Sequence, residues 1–157
     1  LGHLRRAFGD HQDIRWMGYV PEAQLRNLFS RATVVVLPYT ATTGASSVLY
    51  RAAGWGRSIV ASDLPELRAT ADEEQLLVEF FPSGDKAGLI AALERLLTDS
   101  ARRAMQVQHN YHKIVNHLTL SHTCQAYLRT FESVLASYKR NIRILVPSTT
   151  WKHLNEP

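Results

Sequence analysis

Short runs of apolar, mostly β-branched residues alternate along this chain with stretches whose apolar positions recur every three or four residues. The first pattern suits strands buried in a parallel sheet and the second suits amphipathic helices. Leu1 to Phe8 reads as the end of a helix and Ile14–Gly18 as a short strand. Pro21 suits a first helical position, and Leu25, Leu28, Phe29 and Ala32 then share one face. Thr33–Leu37 is a continuous apolar run, as for a strand buried on both faces. A helix over Ser46–Trp55 ends near Gly56. Ser58–Ala61 and Leu76–Phe80 read as two more strands. Asp85 caps a helix whose Leu89, Ile90, Leu93, Leu96 and Leu97 form a stripe. Ala101 to about Arg140 is helical, as two helices broken near Leu118–His122. The alternation predicts an α/β fold: a Rossmann-like parallel sheet with strands near 14–18, 34–38, 58–62 and 76–80, and helices on both faces. Residues 1–140 form this domain. Residues 141–157 are a tail in which Asn141–Trp151 reads as a strand and loop. It suits the opening strand of a following domain, an edge strand of this sheet, or a frayed end.

One connection carries candidate chemistry. After Val34–Pro38 and Tyr39 the chain runs through Thr43-Gly44-Ala45-Ser46-Ser47 into a helix. A helix N-terminus beyond a parallel strand presents free N–H groups and about half a positive charge, which suits phosphate. Gly44 allows close backbone approach, and Ser46 and Ser47 add hydroxyl donors. In open α/β sheets ligands bind beyond the carboxyl ends of the strands. The same residues also suit an ordinary capped connection with no ligand.

Composition narrows the class. The chain has 157 residues, 45% hydrophobic and 20% charged, which is globular. One domain of this size buries about two thirds of its unfolded surface. No apolar run approaches the roughly 20 residues of a membrane span. No signal peptide is read at the N-terminus, which lacks Met, so the chain reads as cut from something longer. The single cysteine, Cys124, excludes an internal disulfide and suits a cytoplasmic setting. The net charge of +4 is mild. Arg102-Arg103 and Lys139-Arg140-Arg143 read as solvated helix faces, or as a surface for peripheral membrane contact or a nucleotide diphosphate. No zinc-finger or basic–aromatic pattern points to nucleic acid.

From Ile14 to about Tyr138 the chain resembles the donor-binding, C-terminal domain of GT-B-fold retaining glycosyltransferases of family four. The resemblance rests on Gly18-Tyr19-Val20-Pro21-Glu22 with Leu25 and Leu28, on Val34–Pro38, and on Ala52 through Asp63-Leu64-Pro65-Glu66. It implies a nucleotide-diphosphate sugar as donor. The acceptor would be a saccharide or lipid held by an N-terminal domain outside this chain. No metal or other cofactor is implied. It also implies donor contacts at Gly18, Tyr19, Val20, Tyr39, Thr43, Gly44, Ala45, Ser46, Ser47 and Arg51, with catalytic residues unassigned. The family usually carries two glutamates around the phosphate loop; Thr43 and Arg51 stand there instead. Thr43 still hydrogen-bonds, whereas Arg51 cannot accept from a ribose hydroxyl and suits phosphate instead. In the sheet order 3-2-1-4-5-6 two further strands would lie between 14–18 and 33–37.

Other constellations are thinner. His109, His112, His117, His122 and Cys124 lack the convergence a zinc site needs. The Ser-rich loop has no nucleophile-elbow Gly-x-Ser-x-Gly. Asp63 and Glu66 read as an acid pair or as turn caps. Two functions follow: a glycosyltransferase donor-binding domain whose parent retains anomeric configuration, or a non-catalytic α/β nucleotide-sugar-binding or assembly module.

Overall fold

A computed structural model describes residues 2–9 and 11–145. The chain divides into two compact units, residues 1–111 and 112–157. The first begins with α1 (Gly2–Phe8) and α2 (Glu22–Arg31). It continues with β1 (Val34–Leu37), α3 (Ser47–Gly54), β2 (Ser58–Asp63), α4 (Pro65–Glu73), β3 (Glu79–Pro82) and α5 (Lys86–Thr98). The helix α6 (Ser100–His117) runs into the second unit, which also holds α7 (Leu120–Leu145).

The sheet is parallel with order β1-β2-β3. Val36 lies opposite Val60, and Ala61 opposite Phe80. The central strand β2 is buried from Ser58 to Ser62 because it has a neighbour on each side. Successive side chains alternate between faces. On one face Val60 packs with Phe81, Ala92 and Leu96, flanked by Val34, Val36, Leu89 and Leu93. Ile59 and Ala61 point to the other face, and α3 and α4 also pack on β2. Ala52 and Ala53 of α3 are wholly buried, and so is Leu67 of α4. Small side chains let a helix approach closely and exclude water, which supplies most of the stabilisation.

Three expectations are corrected. Residues 14–18 form no strand: Ile14 N–H donates to His11 O at 3.0 Å, and no ladder partner adjoins them among the described residues. A strand exists through its neighbour, so an apolar run without one stays irregular. Val34–Val36 are half-buried rather than buried on both faces, because β1 pairs with β2 alone among the described strands. The last strand begins at Glu79, not Leu76. Leu77 gives its N–H to Asn110 Oδ1 at 2.7 Å and its carbonyl accepts from Asn110 Nδ2 at 2.8 Å. A side chain of α6 thus stands where a strand would. One turn earlier Gln106 does the same for Ile59, at 3.0 and 3.2 Å.

Helix ends follow local chemistry. Asp85 Oδ1 caps α5 by accepting from Ala87 N–H at 3.0 Å. Beyond α3, Gly56 adopts φ +66°; its N–H bonds Ala53 O and that of Arg57 bonds Ala52 O. This is a Schellman stop, which favours glycine at that position. The α5 stripe is only partly interior: Leu96 is buried, while Ile90 and Leu97 remain over half exposed. In the second unit α7 starts after a break at Leu118–Thr119. Tyr127 and Phe131 stack one turn apart on it, with centroids 6.5 Å apart, and both are exposed. Residues 141–145 continue α7 rather than forming a strand. Residues 146–157 of the proposed tail lie outside the described residues.

Candidate functional site

The carboxyl end of the sheet gathers three loops. Tyr39–Ser46 follows β1, Leu64 follows β2, and Ser83–Asp85 follow β3. Ser83 Oγ donates to Tyr39 O at 3.2 Å and ties the first loop to the third. Tyr39 is half-buried there.

Ser46 is the N-cap of α3. Its Oγ accepts from Leu49 N–H at 3.4 Å, and its carbonyl accepts from Leu49 and Tyr50. This leaves Ser46 buried as the cap of α3. Ser47 and Val48 carry the first two helical N–H groups, which have no carbonyl within the helix to reach. Ser47, Thr43 and Ala45 are exposed. Thr42 Oγ1 donates to Gly44 O at 3.0 Å and pins the loop. Gly44 has φ +153°, and a Cβ built there meets nothing within 4 Å. The position therefore needs glycine for its backbone angle, while the space above it is open. An open loop with exposed N–H groups at a helix start can accept an anion.

The remaining predicted residues are placed differently. Arg51 lies on α3 with Nη1 2.6 Å from Glu22 Oε1, and its guanidinium carbon stands 5.8 Å from the Trp55 ring centroid. Its charge is thus directed to the first turn of α2. This pair also joins the stretch after Gly18, Tyr19 and Val20 to α3. Gly18 turns with φ +61° and Tyr19 is 90% exposed. Val20 lines an open cleft of about 410 Å³ with Arg15, Met17, Gln24, Asn27, Leu28 and Arg31. The Thr43–Ser47 loop is not part of that cleft.

Asp63 ends β2, and Glu66 stands in the first turn of α4. Asp63 accepts from Arg68 Nε at 2.6 Å and Nη2 at 2.8 Å, and these bonds hold its carboxyl below the usual range. Arg68 in turn lies 4.3 Å over the Phe80 ring. Tyr50, on α3, donates its O–H to Glu74 Oε1 at 3.1 Å. Burial first, and then the Glu74 charge, push its pKa up to about 12. Among the described residues no three His, Cys, Asp or Glu side chains converge to hold a metal. His109 Nε2 lies 2.7 Å from Gln75 O, and His122 Nδ1 lies 2.8 Å from Thr119 Oγ1.

The partnerships that sequence reading missed include Glu22 with Arg51, Gln106 with Ile59 of β2, and Asn110 with Leu77 ahead of β3. Gln106 and Asn110 occupy one face of α6 a turn apart, a polar pair buried in an amphipathic helix. That spacing was the available signal.

The family described as glycosyl transferases group 1 matches residues 2–99. No curated protein matches the chain. Among solved structures the chain is similar to the sucrose-phosphate synthase (tll1590) from Thermosynechococcus elongatus, with a TM-score of 0.74 and 18% sequence identity. The match covers 87% of this chain and 34% of that one. The chain therefore spans about a third of that structure, and the likeness is one of fold.

Proposed function

The chain belongs to the group 1 glycosyl transferases, and from that footing we propose that it is the donor-binding part of a protein that moves a sugar from a nucleotide diphosphate to an acceptor hydroxyl with retention. The observation that carries this reading is the Gly44 loop: φ +153°, open space above it, and the α3 N-terminus behind it at the carboxyl end of β1. The bond between the anomeric carbon and the diphosphate oxygen breaks, the acceptor oxygen takes its place on the same face, and the acceptor hydroxyl's proton goes to the leaving diphosphate. Negative charge then grows on the leaving phosphate. In this reading the N–H groups of Ser47 and Val48, aided by the Ser47 hydroxyl and the α3 dipole, stabilise it. Thr43, exposed beside them, is available to a sugar hydroxyl. Tyr19, nearly fully exposed, offers a ring to the nucleoside. No metal is assigned a role.

The acceptor, a saccharide or lipid, belongs to a domain outside these residues. The work is cytoplasmic in this reading, with peripheral membrane contact where the acceptor is a lipid. No described helix is long and apolar enough to cross a membrane. The test is transfer by a longer protein that carries this chain, supplied with UDP-, GDP- and ADP-sugars, with the product anomer read by NMR. Transfer with retention from one donor is expected. Donor binding without transfer to any acceptor would favour the non-catalytic module.

A further inference from the structure

A second feature lies at the amino end of the sheet, opposite the Gly44 loop. An open cleft of about 460 Å³ is lined there by Arg31, Arg57, Arg103, Ser58 and Ser100, among others. The arginines stand out by what holds them. Arg51, Arg68, Arg95 and Arg102 each pair with a carboxylate. Among the described residues no carboxylate pairs with Arg31, Arg57 or Arg103. Arg57 is held by carbonyls: Nε donates to Trp55 O at 3.0 Å, and Nη1 donates to Ala32 O at 3.1 Å and Ser30 O at 3.4 Å. Arg103 Nη1 donates to Leu96 O at 2.6 Å and Leu97 O at 2.8 Å. Carbonyls orient a guanidinium and leave its full charge and its other N–H groups available.

Two further donors meet this charge. Ser58 is wholly buried, yet its Oγ has no hydrogen-bond partner. A buried hydroxyl left unpaired is costly, and a ligand that accepts from it removes the cost. Ser100 opens the 18-residue helix α6, whose first-turn N–H groups add a positive dipole end. Asp99 takes one of them, Arg102 N–H, at 2.9 Å.

We propose that this cleft is a second anion site, separate from the Gly44 loop, that binds a phosphate group. Arg57 and Arg103 approach it as oriented forks, Arg31 adds charge, and Ser58 Oγ donates from beneath. Its volume falls within the roughly 300–1,000 Å³ of small-molecule sites, which leaves room for an organic part beyond the phosphate. A phosphorylated metabolite and a lipid headgroup share this chemistry.

The test titrates inorganic phosphate, and then glycerol phosphate, into the 157-residue chain at constant ionic strength. Amide shifts of Gly56, Ser58 and Ser100 and the Nε–H signals of Arg57 and Arg103 are followed. Saturating shifts confined to these groups are expected by about 10 mM, with a Kd near 1 mM or tighter. Arg31→Gln should weaken phosphate at least threefold. Ser58→Ala should also weaken it, while leaving the melting temperature in phosphate-free buffer unchanged or raised, since the hydroxyl has no partner to lose. A serine that is merely structural would lower the melting temperature when replaced and leave the titration alone. Absence of saturation overturns the proposal, as does saturation indifferent to both substitutions. Binding to phosphatidylserine-containing vesicles without any free-phosphate titration also overturns it, in favour of a membrane surface.

Discussion

Gly44 and Arg51 sit on one loop and helix, and the fold gives them different freedom. Gly44 faces open space with a backbone angle that other residues resist. Arg51 is already engaged by Glu22, with its side chain one-third exposed and the glutamate about three-quarters exposed. An exposed ion pair contributes roughly 0.2–1 kcal/mol to stability. Arg51→Ala should therefore change donor affinity by less than about 0.5 kcal/mol in a longer protein that binds donor. A tenfold loss of affinity with the fold intact would show that Arg51 leaves Glu22 for the ligand's phosphate. Tyr50 supplies a pH signature beside the same loop. Its folded pKa of about 12 lies above the unfolded value of about 10. The linked stability is fully present below pH 10 and falls as pH rises through 12, because the unfolded chain ionises first. Melting temperatures across that window should drop less steeply in Tyr50→Phe than in the parent. Equal slopes would contradict the assignment.

At the scale of elements, the polar pair on α6 does what a strand would do. Asn110 is wholly buried and satisfies both backbone groups of Leu77. Asn110→Ala leaves a donor and an acceptor unpaired, each worth about 1–3 kcal/mol, so urea unfolding should show a loss of about 2–6 kcal/mol. A loss below about 1 kcal/mol would mean that water replaces the side chain. The same pair explains where sequence reading stopped. β1 and β2 were legible because Val34–Leu37 and Ser58–Ala61 are compact runs of strand-forming residues. Leu76–Val78 carry the same pattern, yet the backbone of Leu77 is paired by a side chain far along the chain, which no local pattern records. Ile14–Gly18 failed for a related reason: periodicity specifies a face and never a neighbour. The Gly44 loop was legible from its glycine and serines, and the burial of Ser46 as a cap follows from its place before the helix. The hold of Glu22 on Arg51 was not legible, because it joins two helices across a strand.

At the scale of the whole molecule, the chain spans about a third of the sucrose-phosphate synthase structure it resembles. Ligands in open α/β sheets bind beyond the carboxyl ends of the strands, and the first unit gathers three loops there. The 157-residue chain alone is expected to show no transfer to any acceptor. At the Gly44 loop its Kd for UDP, GDP or ADP should be about 1 mM or weaker, which is about 4 kcal/mol or less. Turnover by this chain would contradict that expectation. The most direct test of the Gly44 loop as the phosphate cradle is calorimetric titration of UDP, GDP and ADP into a longer, donor-binding protein and its Gly44→Val variant. Loss of binding in the variant, with an unchanged circular dichroism spectrum, is the predicted result. Equal affinity in the two proteins would contradict it.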